Sequence, residues 1–258
     1  VYLRRDRSRD FADSDAVLTR PATVGLTARA GSSRVVPRPG LEDQFKSEQV
    51  GIGEPFTQTA AVRAALIEER GPGRAVIALK GSFSTTGKES LDFTARLYFY
   101  AGSPLAQMTF SVINRQMDSM ARFVGIERLS VAVPLKRARA ARVALSLDGE
   151  AFKTIVGKRP LGLIQTARDR ARLTASDGKS TDGTRSAGWV QVGGRAAVLT
   201  AGTRWFWQLY PMGILVEPDG TLELDIKPAG TDRIDLYTAG AKTHFLFFHF
   251  ATPGDVPA

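Results

Sequence analysis

The residues Thr200–Pro211 read Thr-Ala-Gly-Thr-Arg-Trp-Phe-Trp-Gln-Leu-Tyr-Pro and hold two of the chain's three tryptophans. Aromatic rings offer flat apolar faces, and Arg204 and Gln208 offer planar hydrogen-bonding groups. A carboxylated sugar can use all of these together. The competing reading is that Trp205, Phe206, Trp207 and Tyr210 cap the core of a β-sandwich, where each buried ring contributes roughly 1.5–3 kcal/mol. Two histidines, His244 and His249, stand in an otherwise apolar run. Five residues apart on a strand they point to opposite faces, so a regular strand cannot bring both to one metal ion.

The elements that must position these side chains read as strands. The clearest pair lies in Ser90–Asn114. Phe93, Ala95, Leu97 and Phe99 share one face, and Thr94, Arg96, Tyr98 and Tyr100 share the other. After a turn at Ala101–Pro104 the return strand alternates Ala106, Met108, Phe110 and Val112 with polar neighbours. Gly71-Pro72-Gly73 is a turn that makes Ala60–Arg70 and Arg74–Gly81 a hairpin, although the Ala-rich first arm also has helix propensity. Further strands are expected at Thr23–Ala28, Arg122–Val133, Arg142–Leu147, Phe152–Val156, Leu161–Thr166, Trp189–Val192, Ala196–Ala201, Ile214–Val216, Leu222–Ile226, Ile234–Tyr237 and Thr243–Phe250. Leu41–Phe56 and Arg168–Gly188 are polar and turn-rich, and read as loops. Short strands at this frequency predict an all-β fold, a large antiparallel β-sandwich with few short helices. The expected organisation is a remnant of a preceding module and a linker over 1–58, a central sandwich over 59–251, and the start of a linker to a further module over 252–258.

Composition narrows the chemistry. The chain has 258 residues, 43% hydrophobic, with no cysteine, so disulfides, thiolate metal sites and cysteine nucleophiles are excluded. Its apolar runs are too short for a helix to cross a bilayer, and no signal-peptide pattern follows the charged start. No membrane partner is therefore expected, and secreted, periplasmic and cytoplasmic settings all stay open. A net charge of +9, with 26 arginines among 35 basic residues, favours an anionic partner such as a uronic-acid polymer, a nucleic acid or an anionic membrane surface. Lys136–Arg142 is basic but lacks interleaved aromatics for base stacking, so no nucleic-acid partner is expected.

Familiar catalytic patterns are missing. Asp177-Gly-Lys-Ser180 resembles the end of a phosphate loop, but Leu173 stands where the first glycine belongs. Asp177–Gly183 lacks the third acid and the distant glutamate of an EF-hand, leaving calcium without a motif and no cofactor predicted. Neither a Gly-x-Ser-x-Gly elbow nor a His-Glu-x-x-His helix occurs.

Four segments together resemble the exo-acting rhamnogalacturonan lyase family, the YetA-like polysaccharide lyases. They are Ala65–Val76, Leu91–Pro104 with Ile113-Asn114, Arg204–Pro211 and Ala241–His244, in order over roughly Thr59 to Phe250. The resemblance implies the central β-sandwich of a three-part bacterial protein that degrades pectin, with a β-barrel-like module before it and an α/α toroid after it as flanking domains. Two positions depart from the pattern: Met212 stands where a basic residue is expected, and Ala106–Phe110 lacks the expected arginine and histidine. The implied chemistry is β-elimination at a galacturonic acid residue of an acidic oligosaccharide or polysaccharide. A base removes the C5 proton while the carboxylate is neutralised. On this resemblance Arg204 meets the carboxylate, His244 or Tyr210 transfers the proton, and Trp207, Gln208 and Trp205 contact sugar. The alternative is a non-catalytic carbohydrate-binding or scaffold sandwich, and a mutarotase-like or hydrolase-accessory sandwich is a third reading, the hydrolase form requiring paired carboxylates in one cleft.

Overall fold

The computed structural model describes residues 18, 20–85, 88–115, 122–135, 138–143, 152–194 and 197–252. Most of the expected 1–58 remnant is among them, whereas 1–17 and 253–258, the outer ends of the expected remnant and linker, lie outside.

Seventeen strands run in chain order: β1 Thr23–Arg38, β2 Leu41–Arg70, β3 Arg74–Thr85, β4 Lys88–Tyr100, β5 Leu105–Ile113, β6 Arg122–Pro134, β7 Ala138–Val143, β8 Phe152–Ile155, β9 Leu161–Ala167, β10 Arg170–Thr174, β11 Ser180–Gly183, β12 Trp189–Gly194, β13 Val198–Thr203, β14 Met212–Val216, β15 Thr221–Lys227, β16 Ile234–Tyr237 and β17 Ala241–Ala251. Every pairing is antiparallel. The fold is the all-β antiparallel sandwich that the alternation predicts. No helix occurs among the described residues, where a few short ones were expected.

The strands form one hydrogen-bonded path. A first sheet runs β8-β7-β12-β13-β17-β5-β4-β3-β2, and a second runs β2-β1-β6, then β15 and β16 end to end along β6, and from β15 on to β14-β9-β10-β11. The long strand β2 serves both: Thr59 pairs with Gly25 in β1 and with Ser84 in β3. The inner faces meet in one core. Leu26, Ile126, Leu129 and Val131 come from the second sheet, and Phe83, Phe93, Phe110 and Leu246 from the first. Phe93 stands edge-on to Phe83 at 5.7 Å and stacks on Phe110 at 5.9 Å.

Two loop readings are corrected. Leu41–Phe56 is strand, paired with β1 from Ala28 to Arg38. The prolines and glycines there are compatible with pairing because the distal β1–β2 ribbon has free outer edges, where a missing N–H costs nothing, and register shifts at Arg29/Gly31 and Ser32/Ser33 absorb the irregularity. The boundary expected at residue 58 thus falls inside a continuous strand. In Arg168–Gly188, β10 buries Ala171 and Leu173 while Arg170, Arg172 and Thr174 face out, a period-2 pattern in which only two small or aliphatic residues mark the inner face. Asp177 accepts from the Lys179 amide and Gly178 adopts φ +89°, so the rejected phosphate-loop motif is the β10–β11 turn.

Candidate functional site

Strand β13 ends at Thr203, and the chain then winds through a tight turn in which the Leu209 and Gln208 amides both donate to the Trp205 carbonyl. Trp205 sits at φ 59°, a left-handed conformation uncommon for a bulky residue, and its ring is 45% exposed. The turn is pinned from two sides. The Arg204 amide donates to the Phe245 carbonyl of β17, and Phe206 is buried against Gly188, where a Cβ would come within 2.1 Å of the Phe206 Cβ. Gly188 itself has φ +72°, its amide donates to the Ser186 hydroxyl, and the Ser186 amide donates to the buried Gln165 side chain. Only glycine fits position 188.

The outer face of the first sheet under this turn is aromatic. On β17 the residues Phe245, Phe247 and His249 point outward, while His244, Leu246 and Phe248 point into the core. Trp205 stands edge-on to Phe245 at 5.7 Å, and the Arg204 guanidinium lies over the Trp205 ring at 4.3 Å and over Phe245 at 5.8 Å. Arg204 and Trp205 edge a cleft of about 330 Å3 that also receives Leu105, Thr200, Phe247 and His249. Cation–π stacking orients the guanidinium while leaving its in-plane donors available to a carboxylate. Next to the cleft, Arg185 lies over Trp207 at 4.9 Å.

The sequence-derived site residues separate. Arg204 and Trp205 come together in the cleft. Trp207 is half-buried and Gln208 and Tyr210 are exposed on the same turn, outside the cleft lining, and the Tyr210–Pro211 peptide is cis. His244 is elsewhere: it is 1% exposed on the core face, opposite Phe110, with neither ring nitrogen hydrogen-bonded. Burial, helped by the charge of Lys242, pushes its pKa down to about 3, so the imidazole is neutral. A group so enclosed cannot reach a glycan lying on the aromatic face, which corrects its assignment to proton transfer. Met212, where the resemblance leads one to expect a basic residue, is fully buried. The imidazole in the cleft is that of His249, whose opposite orientation the five-residue spacing already required. Phe247 and Arg185 went unrecognised, the first because β17 is apolar on both faces, the second because it is distant in sequence from the Trp207 it covers.

An antiparallel β-sandwich bearing an aromatic and arginine cleft on an outer sheet face is the class of protein that fold and site define. Residues 40–160 match the family model described as the PcRGLX-like protein central beta sandwich domain, the rhamnogalacturonan-lyase-like sandwich that the sequence motifs resemble. No curated protein matches the chain. Among solved structures, a GH36 alpha-galactosidase from Geobacillus stearothermophilus is similar at 10% identity and a TM-score of 0.46, over 94% of this chain; the chain spans 31% of that enzyme's length. A galactose mutarotase-like protein from Lactobacillus casei is similar at 10% identity and a TM-score of 0.35, over 89% of this chain and 85% of its own.

Proposed function

We propose that this chain is the glycan-contacting sandwich of a carbohydrate-active, rhamnogalacturonan-lyase-like protein, and that its outer cleft binds an acidic oligosaccharide. The observation that carries the reading is the Arg204 guanidinium held flat over Trp205 at the edge of a cleft floored by Phe247 and His249. A pyranose ring stacks on the exposed aromatic faces, and the guanidinium takes the uronate carboxylate in a bidentate pair. The family match over residues 40–160 supports the carbohydrate-active assignment.

For β-elimination Arg204 supplies charge neutralisation, one of the two requirements, and Tyr210, exposed on the same turn, is the remaining proton-transfer candidate from the sequence. Because Tyr210 lies outside the cleft lining and His244 is enclosed in the core, the reading places the proton acceptor outside this sandwich, in a flanking module such as the family resemblance implies. The experiment measures the ultraviolet absorbance of unsaturated product from rhamnogalacturonan oligosaccharides, using this chain and a longer chain that restores the flanking modules. Product from the longer chain alone, with binding by both, is the expected result. Product from this chain alone would move the catalytic base into the sandwich, and absence of binding by either would remove the glycan reading.

A further inference from the structure

On the opposite side of the molecule the outer face of the second sheet is built differently. Asp225 of β15, Gly213 of β14 and Ile164 of β9 stand in one cross-strand row, with Glu223, Leu215 and Gly162 in the row two residues along. Arg128 of β6 bridges the two acids: Nε donates to Asp225 at 3.1 Å, and Nη2 pairs with Glu223. The two glycines lower the sheet surface beside this wall. A Cβ at Gly162 would lie 3.5 Å from a Leu215 methyl, in space that glycine leaves open, whereas one at Gly213 would lie 3.1 Å from the Asp225 Cβ and 3.2 Å from the Pro228 Cβ, so glycine there lets these two side chains close over the strand. The result is a groove of about 290 Å3, at the small end of ligand sites, with Thr174 on its far side and half-buried Leu215 and Ile164 as apolar surface.

We propose that this groove is a second binding site, taking one neutral pyranoside through the Arg128–Asp225 pair over the glycine floor. A guanidinium and a carboxylate side by side supply donors and acceptors to vicinal hydroxyls, and the leucine and isoleucine receive the apolar face of a sugar ring. The charge balance selects the ligand. Arg128 is already paired with both carboxylates and the neighbouring Lys227 ammonium is turned onto backbone carbonyls, so the wall offers a uronate no free cation, while Arg128 occupies the position between the acids that a metal ion would need. The site is independent of the Arg204 cleft, which lies on the other sheet and is built for an anion.

The test follows the backbone amides of Gly162, Thr174 and Gly213 by nuclear magnetic resonance on the full chain. Methyl β-galactopyranoside, methyl α-rhamnopyranoside, galacturonate and calcium are titrated separately. The neutral glycosides should shift these amides, and galacturonate and calcium should not. Gly162→Gln, whose Cβ would make an ordinary contact with a Leu215 methyl at 3.5 Å, puts a side chain into the groove and should weaken the neutral glycoside at least roughly tenfold. Asp225→Asn, which keeps shape and the Glu223 partner of Arg128, should weaken it severalfold and serves if the first variant misfolds. Amides unmoved by either glycoside, undiminished binding in both variants, or shifts caused by galacturonate or calcium instead would each overturn the assignment. Trp205 fluorescence, read in the same titrations, reports the other cleft, so failure of one site is seen separately from failure of the other.

Discussion

Trp205 and Arg204 show how a residue can look like core in a sequence and be surface in the fold. The left-handed turn at φ 59° lifts the indole out of the sheet, and the stacked guanidinium covers one of its faces. Trp205→Ala should therefore weaken acidic oligosaccharide binding by roughly 5- to 30-fold, the effect of losing a contact worth about 1–2 kcal/mol, while leaving the thermal midpoint nearly unchanged. Calorimetric titration beside a melting curve separates the two. His244 is the opposite case. Its folded pKa near 3 lies below the value of about 6.5 for an unfolded histidine, so between these values the unfolded chain binds more protons. Stability is full above about pH 6.5 and is lost as pH falls toward 3. Asp225 works against this over part of the window: burial, opposed by Arg128, pushes its carboxyl up to about 6, and the folded state gains relative stability as pH falls from there toward about 4. His244→Phe removes an unpartnered buried polar group and should flatten the acid-side loss in denaturant titrations at several pH values. An unchanged acid limb would mean that the imidazole is not the titrating group.

Among the elements, β15 is tied down by Lys227, which is 1% exposed although charged. Its Nζ donates to the carbonyls of Glu127 at 3.0 Å and Pro228 at 2.8 Å and to the Thr231 hydroxyl at 2.6 Å, so burial lowers its pKa without leaving it unsatisfied. Lys227→Met keeps the volume but strands these acceptors, and should cost about 2–4 kcal/mol in chemical denaturation. Strand β2 presents the reverse problem. Every residue from Ala61 to Glu68 is exposed, including Val62, Leu66 and Ile67, and beyond Thr59 its second edge is unpaired among the described residues. Register shifts at Val62/Ala64 and Ile67/Glu69 interrupt the edge that would otherwise pair with another chain. Ile67→Lys should reduce concentration-dependent light scattering while changing stability by less than about 0.5 kcal/mol.

For the whole molecule, the net charge of +9 is spread over a surface rich in ion pairs such as Arg96–Glu68, Arg74–Glu69 and Arg172–Asp182, each exposed and individually of small worth. The remaining positive excess favours long-range attraction of a polyuronate. Raising salt from about 0.05 to 0.5 M, which shortens the screening length severalfold, should slow association with acidic oligosaccharides and leave neutral glycosides unaffected. Stopped-flow traces at the two salt levels distinguish them, and equal rates would locate the recognition in short-range contacts alone.

The sequence by itself determined the sandwich, because alternation with period 2 is a local property: β4, β5, β16 and β17 are readable from which side chains fall on one face. It also determined that His244 and His249 diverge, and that Arg204 and Trp205 belong together, since neighbours on one turn need no long-range information. It misread the distal part of β1, the first half of β2 and β10–β11, where tolerance of proline or of polar residues depends on whether a strand has a free edge, which pairing alone decides. Tertiary structure alone decided that His244 is enclosed and His249 open, because an apolar strand does not declare which face meets the core. It alone assembled Arg128, Asp225 and the two glycines, which lie on four strands up to 97 residues apart and meet only through the order of strands in the sheet.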